Sequence, residues 1–539
     1  MSDAITSPAH GSGRPELREL FSEWRALERP PLRDGAPDYG LARQEAAASG
    51  VKALRQRLYA MDTRDWDVAG QVDWHLLRAE MNGLEFNLQV LRPWERDPAF
   101  YLSLYTEQAD VPAREGPTHH AAIELWAYDF PLDAAATGRL TRELATIPPL
   151  LRQARENLRG DARDLWMAGI ATMREQLPAL AALRARAAPA RGSALDGALA
   201  AAEQATSAFV DWLEGESVHR DGASGIGRAR YDWYQRHVRY VPLGWEDELR
   251  LLERELARAW SSLALEEARN RELPPLHAAD TPAAWAARAD AGATRLMRFL
   301  RERRIMPVTD NMEPALREKL GDFVPPAGRN FFDIGRHLDP VPLYCHFYHW
   351  FDLARVRDTP SPNPLRREPL LYNIFDSYSE GIATAVEEMF MHAGLLDDSP
   401  RSREIVWVML AQRAARGIGS LRAHANELSM AEAGTVHVQW TPRGWMSVEP
   451  RLLQFEQHLY LRQPGYGTSY VTGKYLIERL LAARMRQAEA AGESFSMAAF
   501  FHAFQSAGAI PVALLHWEMT GDGAEIRAMA VDEAIPGPD

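Results

Sequence analysis

Apolar residues recur at three- and four-residue intervals from Glu16 to Leu27, through 66–91 and again over 137–215 of this 539-residue chain, set among Ala, Arg, Glu and Leu. These are strong helix formers, and a 3.6-residue period held over such lengths predicts amphipathic helices. No window sustains the period-two Val/Ile/Thr alternation of a half-buried strand. The best strand candidate, GTVHVQW at 434–440, is short and isolated. The fold class is therefore all-α, and an alternating α/β architecture cannot be built from this pattern.

A chain of this length exceeds one ordinary hydrophobic core and suits two lobes sharing an interface. Gly- and Pro-rich breaks near 29–40, 216–227, 270–282, 307–328 and 358–368 divide the helices into groups. We expect a disordered start at 1–14, an N-terminal helical lobe at 15–215, a C-terminal helical lobe carrying the site at 216–530, and a flexible tail at 531–539. No repeat of fixed period is found. GASGIG at 222–227 precedes a helix but follows no strand, so it does not make a nucleotide-binding loop.

The net charge of -13 comes from 74 acidic against 61 basic residues, with the basic ones scattered along helix faces. That disfavours nucleic acid as a partner, because such affinity rests on phosphate neutralisation. A single cysteine, Cys345, excludes an intramolecular disulfide framework and a four-cysteine zinc site. The N-terminus shows neither a basic nor an apolar leader region, and no stretch of about 18 uninterrupted apolar residues occurs. The expectation is a cytoplasmic protein without membrane contact, acting on a small molecule or peptide.

Chemistry-bearing residues gather late in the chain. DPVPLYCHFYHWFDLARVR at 339–357 reads as one helix opened by Asp339 and two prolines. On it His346 and His349 stand three residues apart and face one direction, so the pair could grip one ion. In so aromatic a segment, two histidines also serve as ordinary core residues with satisfied ring nitrogens. A metal site needs a third ligand, and the segment 370–398 offers one.

That second helix is apolar along its length and stops at Gly394. It nevertheless carries Asp376, Glu380 and Glu387 at intervals of four and seven. Buried carboxylates are costly unless paired or bound to a cation. Arg413 and Arg416 are the candidate partners for a purely structural pairing. Gly381, in mid-helix beside Glu380, predicts close approach of another backbone or a ligand.

The order of these motifs resembles the bacterial family known as domain of unknown function 885, whose fold is similar to that of the thermostable zinc carboxypeptidases. SEGIATAVEE at 379–388 resembles the family's Glu-Gly helix through Glu380 and Gly381, and His424 follows on an Arg-rich helix. QPGYGTSYVTGKYLIERLL at 463–481 matches at Pro464, Gly465, Tyr470, Gly473 and Lys474. FFHAFQSAGAIPVALL at 500–515 matches at Phe501, His502, Gly508 and Pro511. Weaker likeness lies at 92–105 and 225–238, and the specific part begins after residue 330.

The resemblance implies a two-lobed, zincin-like fold with a central groove. It also implies a divalent metal, zinc first, held by His346, His349 and Glu380, with Glu387, Tyr470 and His424 as catalytic candidates. Tyr470, in a glycine-flanked turn from Pro464 to Gly473, would donate to an oxyanion or merely pack its ring. The chain departs from the family where PLYCHFYHWFDL lacks the His-Glu dyad. A zincin uses that glutamate to move a proton from the attacking water to the leaving amine, and its loss typically costs about 10² to 10⁴ in rate. Three readings follow: Glu387 or Asp376 acts as base beside a metal, His346 itself is the base, or the metal is gone. The first expectation is a metal-dependent hydrolase of a peptide, amide or related small substrate. The alternative is a metal-free lyase or cyclase, or a ligand-binding protein on the same fold.

Overall fold

A computed structural model describes residues 14–114, 116–446, 450–531 and 533–538. The expected disordered start lies almost wholly outside them. The fold is 68% helix with negligible sheet. Among the described residues the only strands are two-residue bridges, Leu32–Arg33 with Ala36–Pro37 and Leu104–Tyr105 with Ile123–Glu124. No helix of the described residues is long and apolar enough to cross a membrane.

The N-terminal pattern resolves into separate helices, although Pro178 is carried inside one of them. Residues 137–215 fall in four of them: Ala134–Leu144, Ile147–Asn157, Arg163–Ala187 and Ala194–Ser217. Asp133 and Ser193 accept from backbone N–H groups at two of the starts. Their inward faces form one hydrophobic core around Phe100, Leu150, Trp166 and Phe209. A larger core unites Trp245, Tyr344, Phe375, Leu410 and Leu514. The helix Val68–Phe86 gives Val72, Leu76 and Phe86 to that larger core, while its Leu77 and Met81 meet Leu20 and Trp24 of the helix Pro15–Glu28. The chain's end lies along the helix Arg228–His237: Trp233 Nε1 donates to Glu533 O at 3.0 Å, and Arg230 Nε to Pro536 O at 3.1 Å.

Three sequence expectations change here. The strand candidate at 434–440 is helical, within Met430–Trp440. A capping box of Ser429 and Glu432 starts that helix, and Gly419 of a neighbouring helix lets Ala433 pack close. Tertiary packing overrides the β-branched residues' weak preference. The single helix expected over 339–357 breaks at Phe347 into Val341–His346 and Tyr348–Asp358. Pro340, not Asp339, holds the N-cap position of the first, and Asp339 accepts from Val341 N at 3.0 Å from one residue further out. The supposed turn around Tyr470 is the first part of the helix Tyr466–Ala491. Only Gly465, at φ 80°, serves the turn, whereas Gly467 and Gly473 are spent on helix contacts.

Those contacts position the site. The helix Asp376–His392 crosses Tyr466–Ala491 where Gly381 faces Gly473. A Cβ on Gly381 would sit 2.6 Å from the Gly473 carbonyl carbon, so the close backbone approach expected at Gly381 is present. Gly417 similarly admits Leu252 against the helix Ser402–His424, and Gly467 admits that helix's Ser420 against Tyr466–Ala491.

Candidate metal centre

Ring nitrogens of His346 and His349 and a carboxylate oxygen of Glu380 lie within 4.8 Å of one another. His349 Nε2 is 3.2 Å from Glu380 Oε2, and His346 Nε2 is 3.8 Å from the same oxygen. Ligands of a tetrahedral zinc, with bonds of about 2.0–2.1 Å, stand about 3.3 Å apart, so small adjustments bring these three atoms onto one ion. The break at Phe347 does not separate the histidines: their rings meet edge to face with centroids 5.0 Å apart.

Two of the three ligands are held from behind. Tyr466 Oη donates to Glu380 Oε1 at 2.6 Å, leaving Oε2 for the cluster. His346 Nδ1 lies 3.0 Å from Glu387 Oε1 and 3.1 Å from Arg413 Nη2. Either tautomer thus has a partner, but only the one with Nδ1–H donating to Glu387 leaves Nε2 bare for a cation. Tyr470 stacks on His346 at 6.2 Å, and its hydroxyl is 3.3 Å from that of Tyr466. Arg416 lies over the Tyr470 ring at 3.9 Å and pairs with Glu456 at 2.7 Å.

Burial sets the electrostatics and opposes charge on every member. It acts against charge on His349, yet Glu380 and then Asp110 outweigh it and lift the imidazole to about 9. Burial likewise pushes Glu380 upward, but the facing His349 and His346 bring it down to about 2. His346 falls well below the usual range, through burial first and then Arg413 and His349. Without a cation the cluster is a His349–Glu380 ion pair beside a neutral His346. The donor set of two imidazoles and one carboxylate suits a borderline cation such as zinc.

The remaining sequence candidates divide. Glu387 is engaged through both oxygens by Arg413, at 2.6 and 2.7 Å, so it is a paired carboxylate that also touches His346. Asp376 pairs with Arg239 at 2.7 Å. His424 reaches none of the cluster; its Nε2 lies 3.0 Å from the Tyr460 carbonyl and its ring packs against Tyr231. Cys345 Sγ faces the Val341 carbonyl at 3.3 Å and is buried. Lys474 sits among Glu255, Glu388 and Glu478, and His502 is exposed.

Two residues escaped the sequence reading. Tyr466 could have been found as the residue one helical turn before Tyr470, had the segment been read as helix. Asp110 shares a small cavity with His349 and Asp352, and adds negative potential at both histidines. It stands 236 positions before His346 in a Pro-bounded loop, and no spacing rule points to it.

The family described as "Bacterial protein of unknown function (DUF885)" matches residues 349–519, which include His349, Glu380, Tyr466 and Tyr470. None of the curated proteins matches the chain. Among solved structures, the chain is similar to "a putative lipoprotein of unknown function" from Shewanella oneidensis, with a TM-score of 0.66 at 14% identity over 93% of this chain and 97% of the other. It is also similar to "the putative lipoprotein" from Colwellia psychrerythraea, with a TM-score of 0.63 at 13% identity over 94% and 97%. At such identities the likeness concerns the fold alone.

Proposed function

We propose that the protein is a metal-dependent hydrolase in which His346, His349 and Glu380 hold one divalent cation, zinc first, and that its substrate is a small amide or peptide. The observation that carries this reading is the gathering of ring nitrogens of His346 and His349 and an oxygen of Glu380 within 4.8 Å of one another, with Glu380 and His346 backed by further partners. Arginine-paired carboxylates elsewhere in the same helix need no cation, whereas Glu380 has only histidines and a tyrosine beside it, and a cation would take the place of the proton that His349 shares with it. When bound, such a cation supplies Lewis acidity toward a carbonyl and makes water a usable nucleophile near neutral pH.

The chain's own residues would do the rest. Tyr466 fixes which oxygen Glu380 presents, and Glu387, 3.0 Å from His346 Nδ1, would accept its proton in the tautomer that leaves Nε2 bare. Because Arg413 holds Glu387, the carboxylate better placed to accept a proton is Asp110, which lines the same small cavity as His349. The hydroxyl pair Tyr466–Tyr470 supplies donors for an oxygen that gains charge.

Elemental analysis of protein purified without chelator tests the reading: about one equivalent of zinc, manganese or iron is expected, falling to background in a His349→Ala, Glu380→Gln double variant. Equal metal content in wild type and variant sinks it. A cation-binding protein without hydrolysis is favoured by the missing His-Glu dyad. That second reading prevails if metal is stoichiometric yet Asp110→Asn leaves turnover of an aryl-amide and dipeptide panel unchanged at background.

A further inference from the structure

A cavity of ≈ 290 Å³ is lined by residues from 28–47, 84–100, 113–120 and 462–463, by Tyr234 and by the segment 369–373 that leads into the Glu380 helix; none of the three metal-ligand candidates borders it. One wall consists of Arg114, Gly116, Asn373, Arg462 and Gln463. Two of its acceptors, Gln463 Oε1 and the Arg114 carbonyl, are taken. Asn373 Nδ2 donates to Gln463 Oε1 at 2.7 Å and to Arg114 O at 3.2 Å, and Arg462 Nη2 donates to Pro117 O at 2.7 Å.

The wall's donors are in surplus. With its oxygen bound to Asn373, Gln463 turns its amide nitrogen away, and this Nε2 is buried with no acceptor among the described residues; the same holds for Arg114 Nε. Gln463 itself is only 6% exposed. Arg114 spends Nη2 on Glu124, and Arg462 spends Nε on Asp97, so Nη1 of each donates to nothing among the described residues. Gly116, at φ 82°, leaves this place uncovered: a Cβ there would lie 3.0 Å from Arg462 Nη1 and 3.8 Å from Gln463 Nε2. Buried N–H groups without acceptors are costly, and a negatively charged oxygen is the group that satisfies several at once.

We propose that this cavity is a second binding site, for a small carboxylate-bearing molecule whose carboxylate is received by Arg114, Arg462 and Gln463 and whose apolar body rests on Leu91, Trp94 and Phe100. Each arginine already faces one acidic side chain, Glu124 or Asp97, so the site offers aimed N–H dipoles rather than strong net positive charge. That favours a singly charged carboxylate. The apolar wall suits an aromatic or aliphatic body of modest size.

Titration calorimetry of the full chain with 3-phenylpropionate, in excess chelator so that the His346 cluster stays free of metal, tests the proposal. Saturable binding at or below about 1 mM is expected, with the neutral 3-phenylpropanol at least about tenfold weaker. Gln463→Glu keeps the oxygen that Asn373 needs and replaces the free N–H by a carboxylate oxygen, so affinity should fall at least about tenfold. Arg114→Gln should do the same, and its partner Glu124 is 37% exposed, which keeps the fold intact should the first variant fail to accumulate. The proposal is overturned if no heat appears at about 10 mM acid, if acid and alcohol bind equally, or if both variants melt and bind as wild type does. A His349→Ala variant should bind the acid unchanged, which separates this site from the metal centre.

Discussion

Asp376 and Glu387, at the two ends of the buried acidic stripe, each face an arginine, whereas Glu380 between them faces two histidines and a tyrosine. All three carboxylates are at most 3% exposed, so the difference is one of partners and not of burial. An arginine carries a permanent charge and a fork of donors, and closes the account for a buried carboxylate. Histidine gives up its proton within the ordinary pH range and then offers a lone pair. The stripe therefore has structural ends and a middle that is open to a cation.

The largest effect should come from an end. Arg413→Ala strands the Glu387 charge in the core and is expected to cost about 3–5 kcal/mol in denaturant unfolding. A loss below about 1 kcal/mol would show that Glu387 is neutral and that the ends do not differ from the middle. Tyr466→Phe addresses the middle: removing the partner of Glu380 Oε1 should weaken zinc affinity about 10- to 100-fold in a chelator competition. It should leave the melting temperature of the metal-free protein within a few degrees of wild type.

The pH dependence sharpens the comparison further, because the signs are opposite. Burial holds Asp376 up at about 7, against an ordinary 3.8. The native state therefore binds its proton more tightly, and this group's contribution to stability declines as pH rises from about 4 to 7, by at most about 1.4 kcal/mol per unit. Asp376→Asn should accordingly gain on wild type across that window. Glu380, held down to about 2, contributes stability that is complete above about 4.5 and is lost as pH falls toward 2. The deficit of Glu380→Gln should therefore shrink on acidification, as read from urea midpoints in metal-free protein. The smallest effect is expected at Tyr372→Phe: the buried hydroxyl has no hydrogen-bond partner, so stability should change by less than about 0.5 kcal/mol.

The sequence was read correctly where periodicity governs. Helical class, the stop at Gly394 and the reason for Gly381 all follow from local rules that the tertiary structure leaves intact. The histidine pair and the stripe of Asp376, Glu380 and Glu387 were legible from helical spacing plus the cost of a buried acid, the resemblance singled out Glu380, and the two histidines turn out to ride on different helices. What spacing could not supply was pairing. Which of Arg413 and Arg416 takes Glu387, the turning of Arg416 to Glu456, and the arrival of Asp110 at His349 depend on how distant segments dock. Tyr470 was misplaced for a different reason: three glycines within nine residues read as a turn, when two of them make room for neighbouring helices. The same segment hid Tyr466.

The crossing at Gly381 and Gly473 also sets a manufacturing tolerance. With no side chain between the two helices, nothing at the crossing can flex or be resized, and the spacing is fixed by backbone touching backbone. Glu380 is the neighbour of one contact point, and Tyr466 lies seven residues, about two turns, before the other. The 2.6 Å reach between them is thus gauged by a hard stop next to the acid itself. Drift elsewhere in either helix is absorbed before it reaches the pair, but a single added methyl at either glycine would be transmitted to it undiminished.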